Sequence, residues 1–161
     1  MNHGPGWALV LERSGLAVWM RQALWAYPAA EVGHLLGVVL LAGCAAALDL
    51  RLLGLSQHLS VRQLAGHLLP WAWRGFGLVV VTGAAMFAAH ASDWWHNPAF
   101  PVKMGLVAAG GVNVWAFHRG VYRWAAFWDQ GPPPRAARVA GAVSLAVWMA
   151  VVACGRLLAY L

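Results

Sequence analysis

From Val32 to Leu48 the chain is an unbroken series of apolar and small residues apart from His34, and it stops at Asp49 and Arg51. No polar stripe recurs every three to four residues, as it does on a helix with one face in water. With its flanks the run reaches the roughly 20 residues, at about 1.5 Å each, that a helix needs to cross about 30 Å of hydrocarbon. This predicts a first span over residues 28–50, opened by Pro28 at a tolerated helix-start position. The signal recurs over 70–91, 102–122 and 139–161. The second of these carries Gly75, Gly77, Gly83, Ala84, Ala85, Ala88 and Ala89, whose small side chains let a neighbouring helix come close.

The connections read differently. Residues 52–69 hold His58, Arg62 and His67 with Ser60 as a cap; 91–101 are rich in Trp, Asn and Pro; 123–138 are broken by Pro132, Pro133 and Pro134. Ahead of the first span, Leu16, Trp19, Met20, Ala23 and Leu24 recur at helical spacing opposite Arg13, Arg21 and Gln22, with Ser14 as a cap. Glu12, Arg13 and Arg21 are too costly for the bilayer core, so this stretch reads as an amphipathic helix lying in the interface. The expected fold is all-α: an integral membrane four-helix bundle over 27–161, preceded by a segment, 1–26, that carries the interfacial helix. No internal repeat or second domain is visible.

Composition sharpens this. Of 161 residues, 61% are hydrophobic and 10% charged, with 11 Trp, a profile of membrane proteins and not of soluble domains. Trp25, Tyr27, Trp71, Trp73, Trp94, Trp95, Trp124 and Trp128 fall at predicted helix ends and read as interface belts. The net charge of +6 comes from residues in short connections, so it sets orientation and does not imply nucleic acid. Arg51, Arg62, Arg119, Arg123, Arg135 and Arg138 lie in the first and third connections, whereas the second has only Lys103 at its edge. Both termini are therefore expected on the periplasmic side of a bacterial inner membrane. No basic region followed by an apolar core and a cleavage site opens the chain, and the first span is expected to insert it. Cys44 and Cys154 sit within apolar spans and read as small buried hydrophobes.

Ionisable groups inside a membrane are expensive and are functional suspects. By helical rise, His34 and His90 fall at one depth toward the periplasm, and His67 and His118 at one depth toward the cytoplasm. Facing histidines at one depth are how a bundle holds a b-type haem, each imidazole giving the iron one axial nitrogen; one or two haems are expected. The alternative for each histidine is an interfacial position bonded to water. His3, His58 and His96 read as loop residues, and no Cys-x-x-Cys-His occurs, which excludes a covalently attached c-type haem.

The other polar groups follow from the same reasoning. Glu31 and His34 share a helix face, so Glu31 is a candidate partner for the ring or a proton carrier. The Glu-x-x-His step is also used in di-iron bundles, but five acidic residues are too few for such a centre. Copper held by His and Met, with Met86 one turn before His90, is a further alternative. Asp49, Arg51 and Arg74 fall near one boundary, where they either form an ion pair joining the first two spans or, through the arginines, grip haem propionates. Lys103 is expected to snorkel to the interface and Asn113 to make an interhelical hydrogen bond.

Read together, EVGHLLG, LDLRLLGL, LPWAWRGF, NPAFPVKM and NVWAFHR make nearly the whole chain resemble a family of small bacterial four-helix membrane proteins known as a domain of unknown function. More loosely, histidines on several of four helices are similar to di-haem cytochrome b and CopD-like membrane proteins. The chain departs from these in carrying His67 ahead of Pro70 and no histidine on the fourth span. The family resemblance implies topology and no activity; the histidine positions make a b-type cytochrome-like electron-transfer subunit the leading expectation, with quinone as a possible partner. The rival expectation is a non-catalytic accessory subunit of a larger membrane complex, with copper or small-solute transport as a third. Small-residue faces left toward lipid point to a homo-oligomer or larger complex.

Overall fold

Glycine decides where the two longest helices meet. In the computed structural model, which describes residues 5–129 and 131–157, α3 (Ala26–Leu52) and α4 (Val61–Ala89) run antiparallel and cross at Gly37 and Gly75. A Cβ on Gly75 would stand 2.9 Å from the Gly37 carbonyl oxygen and from the Leu41 nitrogen. The backbones themselves are in contact there, as small residues permit in a membrane.

Two short helices, α1 (Gly6–Glu12) and α2 (Gly15–Gln22), precede α3. After α4 come α5 (Ala91–His96), α6 (Ala99–Arg119), a 3₁₀ segment over Val121–Phe127 and α7 (Arg135–Leu157). Helices α3, α4, α6 and α7 are long and apolar enough to span a membrane. Their outward faces are apolar: Val32, Leu36, Val39, Val112, Trp115, Val139 and Met149 are all more than half exposed. That is the surface a bilayer requires and one that water disfavours. The chain is thus an all-helical four-span membrane protein. Helix α3 packs against α4 and α7, and α7 against α6, while α4 and α6 make no close backbone approach.

Helix α4 begins nine residues before the expected start at Pro70. The Ser60 hydroxyl accepts from Gln63 N (3.1 Å) and an Asp129 carboxylate oxygen accepts from Arg62 N (2.8 Å), so its first orphan amides are satisfied. Val61 and Ala65 are fully buried in a core with Leu48, Leu52, Phe117 and Ala137. Those gains offset the interior proline, which costs about 3 kcal/mol in a helix.

The other boundaries also shift. The third span ends at Arg119 and the fourth begins at Arg135, each about three residues earlier than expected. Residues 158–161, the expected end of the fourth span, and His3 lie outside the described residues.

The interfacial segment is two helices and not one, broken at Arg13, and Ser14 caps the second by accepting from Ala17 N. Ala17 and Met20 are buried, while Leu16, Trp19 and Leu24 stay exposed. Arg21 crosses to donate to the Ala89 carbonyl (2.7 Å) at the end of α4, and Glu12 accepts from Ser92 N (2.7 Å) at the start of α5. The end of the bundle carrying α1, α2 and α5 is called the termini side below, and the opposite end the arginine side.

Candidate functional site

Because α4 and α6 stand apart, the bundle is a ring of four helices with one gap. A cleft of about 430 Å³ lies behind that gap, within the range of small-molecule sites. Its back is α3 and α7, contributing Leu41, Cys44, Asp49, Ser144 and Trp148; its jambs are Leu69, Trp73 and Phe76 of α4 and Gly111, Val114, Trp115 and Phe117 of α6. Trp73 and Trp115 are exposed by more than half on the outer surface. The cleft therefore opens sideways, toward lipid.

Its walls are almost wholly apolar, and a few polar groups converge at its back. Asp49 is 5% exposed, against Gly141 of α7. Ser144 of α7 lines the cleft as well, and Asp49 Oδ2 has no hydrogen-bond partner. Trp148, one turn along α7 from Ser144, has a buried Nε1 that is likewise unpartnered. Leaving such a group unsatisfied costs about 1–3 kcal/mol. Asn113 donates from Nδ2 to the Ala140 carbonyl (3.0 Å), the interhelical bond its position predicts.

The histidines divide between the cleft and the rest. His118 lines the cleft at its arginine-side end, between the rings of Phe117 and Tyr122 at 5.4 and 5.0 Å. Its Nδ1 lies 2.9 Å from the Val114 carbonyl, which only accepts. The hydrogen is therefore on Nδ1, which leaves Nε2 as the nitrogen through which the neutral ring would bind a metal. His34 reaches the same state by another route. Its Nδ1 is 3.1 Å from Thr82 Oγ1, and the Thr82 hydroxyl donates its one hydrogen to the Leu78 carbonyl at 2.6 Å. Thr82 can then only accept, so His34 also carries its hydrogen on Nδ1.

The expected partners are placed elsewhere. His34 lies beside Thr82 and against Gly83, whereas His90 is the residue that ends α4, about 10 Å farther along the axis. His90 stacks edge-on with Tyr27 (5.3 Å) and borders a separate recess with Asp93, Trp94 and Asn97 on the termini side. His67 is exposed on α4 and does not line the cleft. Among the described residues no three His, Cys, Asp or Glu side chains converge to hold a metal ion.

The charged residues take other partners than expected. Arg51, 1% exposed, donates to the carbonyls of Leu59 (2.7 Å), Gln57 (3.1 Å) and Asp129 (3.0 Å), not to Asp49. Arg74 lies over the Trp71 ring at 4.6 Å. The Lys103 ammonium lies against Gly155, near the termini-side end of α7. Glu31 is exposed one turn before His34. Asp129 accepts from the Ser60 hydroxyl (2.6 Å) as well as from Arg62 N. Partial burial alone would raise its carboxyl, but the Ser60 and Arg62 hydrogen bonds and the Arg62 charge hold it below its ordinary value.

Sequence reasoning missed Ser144, Trp148, Arg21 and Asp129. Ser144 had a signal, being the one serine or threonine in the fourth apolar run. The others depend on which helices end up adjacent.

No curated protein and no solved structure matches the chain, so the looser resemblance to cytochromes b and CopD-like proteins gains no support there. A family model does match, over residues 22–161, which is all four spans and their connections. The chain belongs to that family, a family of unknown function designated DUF6644.

Proposed function

We propose that this chain is a membrane electron-transfer subunit that admits a lipid-soluble redox carrier of the quinone class into the cleft between α4 and α6. One observation carries the reading: the cleft is apolar and open to lipid at the side, with Asp49, Ser144 and Trp148 among the residues at its back. A water-soluble substrate has no route to that position. A flat ring with an isoprenoid or alkyl tail has one, since aromatic jambs at Trp73, Phe76 and Trp115 suit a ring and the gap suits a tail.

A b-type haem is the second reading, favoured by Nε2 of His118. Metal-bound histidines characteristically donate their other ring N–H to a carbonyl or similar oxygen, as His118 does. His118 offers one axial nitrogen at the cleft, and a bound haem would supply one-electron transfer there. His67 does not line the cleft with His118, and His34 and His90 lie about 10 Å apart along the axis, so this reading rests on His118 for the cleft and on His34 for the other half of the span.

The test is made on detergent-purified protein. A short-chain quinone analogue is expected to quench tryptophan fluorescence saturably, and oxidised and dithionite-reduced visible spectra report haem independently. A reduced b-type α-band lost in His118→Ala establishes the second reading. Unsaturable quenching together with a flat spectrum sinks both, and favours the accessory-subunit alternative, which predicts colourless protein unstable without its partner.

A further inference from the structure

We infer that the gap between α4 and α6 seats one acyl chain of an anionic phospholipid from the arginine-side leaflet, with its phosphate held by Arg119. This goes beyond the carrier reading and does not rest on it: the lipid is the occupant of the gap while no carrier is bound. The cleft runs along α3 from Leu52, the last residue of that helix, to Leu41, about 16 Å. That is half of the roughly 30 Å of hydrocarbon in a bilayer, so the cleft is one leaflet deep. Its walls are apolar and its side is open, so a lipid chain lying beside the protein enters it without crossing a polar layer.

The 3₁₀ segment that follows α6 marks the level of the headgroups. Trp124 and Phe127 are 63% and 83% exposed there, as aromatic residues are at a membrane interface. Arg119 ends α6 just before this segment. Its guanidinium lies over the ring of Trp115 at 5.7 Å, and Trp115 is an exposed jamb of the cleft. A positive charge therefore stands at the outer rim of an apolar slot, at headgroup height. The neighbouring arginines are placed otherwise. Arg62 interacts with the Asp129 carboxylate, Arg74 lies over Trp71, which does not line the cleft, and Arg51 is buried on backbone carbonyls. Of the five carboxylates, Glu12, Glu31 and Asp93 lie toward the termini side, Asp49 is buried, and Asp129 is engaged by Ser60 and Arg62. Arg119 is thus a cation left without an acidic partner, and phosphate matches its guanidinium fork. Basic sites between transmembrane helices take anionic headgroups in this way. A second copy of the chain fits less well, since helices approach closely through small residues and the jambs here are Trp73 and Trp115.

The experiment titrates detergent-purified full-length protein with phosphatidylglycerol and with phosphatidylcholine, each carrying brominated acyl chains. Bromine quenches nearby tryptophans, and Trp73, Trp115 and Trp148 line the cleft. Phosphatidylglycerol is expected to quench saturably and to bind about fivefold more tightly than phosphatidylcholine, the effect of one basic residue near a membrane surface. Arg119→Gln should bring it down to the level of phosphatidylcholine, whereas Arg119→Lys, which keeps the charge, should retain most of the preference. Arg138→Gln removes an exposed arginine of α7, on the same side of the bundle but on neither jamb, and should leave the preference unchanged. Gly111→Leu adds a side chain at the cleft where nothing lies within 4 Å, and should weaken both lipids alike. Equal losses in Arg119→Gln and Arg138→Gln would show diffuse attraction to a basic surface and overturn the inference. Unaltered lipid binding in Gly111→Leu also overturns it, because the chain would then lie outside the cleft. So does the absence of saturable quenching by either lipid, which leaves the gap to the carrier or to a second copy. The carrier reading is decided separately, by the quinone titration.

Discussion

The seam between α3 and α4 and the gap between α4 and α6 are built from the same kind of sequence and behave in opposite ways. At the seam both facing helices carry a glycine, whereas at the gap only α6 does. At the seam, Gly37 and Gly75 face one another, and added Cβ atoms would stand 2.9–3.1 Å from backbone atoms of the opposite helix. At the gap, Gly111 meets nothing within 4 Å, because the opposing side of α4 presents Leu69, Trp73 and Phe76. A small residue brings helices together only where its counterpart is also small; opposite a bulky row it leaves a void. One side of α4 is therefore fixed and the other is free to admit a ligand.

The sharpest way to break this contrast is to widen the seam. Gly75→Leu forces the α3 and α4 backbones apart at their closest point, and overpacking of this kind costs about 3 kcal/mol. The expected result is a lowered unfolding temperature, followed by circular dichroism in detergent, together with loss of ligand binding, since α3 forms the back of the cleft. A variant of ordinary stability would show that the seam is not the fixed element.

If α4 does not touch α6, something else must set the width of the gap. On the arginine side that role falls to Asp129, which joins the segment after α6 to the start of α4 through Ser60 and Arg62 N, while Arg51 holds the Asp129 carbonyl from α3. Asp129→Asn weakens the tie, and loss of a helix-capping interaction costs about 1 kcal/mol. The same tie is pH-dependent. The folded carboxyl lies below its ordinary value of 3.8, so its contribution is complete above that range and is lost as pH falls through the lowered folded value. Acid unfolding of the unaltered protein should thus show a component below about pH 4 that is missing in Asp129→Asn. Superimposable acid-unfolding curves would show that Asp129 does not hold the gap.

The spans were legible because hydropathy over some 20 residues is a local property, and the four apolar runs are long and clean. What was not legible is pairwise. Pro70 reads as a helix start, and only the burial of Val61 and Ala65 together with a cap from Asp129, over 60 residues away, shows that the helix begins earlier. His34 and His118 stood out as ionisable groups in apolar runs, but the expected pairing with His90 and His67 assumed straight helices entering at common levels. Helix α4 gains about two and a half turns before Pro70, and Thr82, not His90, is what stands opposite His34. Asp49 was visible as a charge at the end of the first run. That it faces a cleft and not Arg74 follows from the pairing of α3 with α7, which no single segment encodes.

The smallest expected effect on stability is also the most selective test of the gap. Gly111→Leu adds a side chain at a position where nothing lies within 4 Å and where the residue borders the cleft. In a helix, replacing glycine by leucine gains somewhat less than 1 kcal/mol in intrinsic propensity, so the fold should be unharmed or slightly stabilised. The new side chain projects into the space between α4 and α6 and occupies part of the volume a ring would need. Its expected signature is an unfolding temperature equal to or above that of the unaltered protein combined with loss of saturable quinone quenching, the reverse of the coupled losses in Gly75→Leu. Retained binding would mean that the ligand enters elsewhere, and the termini-side recess bordered by Tyr27, His90 and Asp93 would become the place to look.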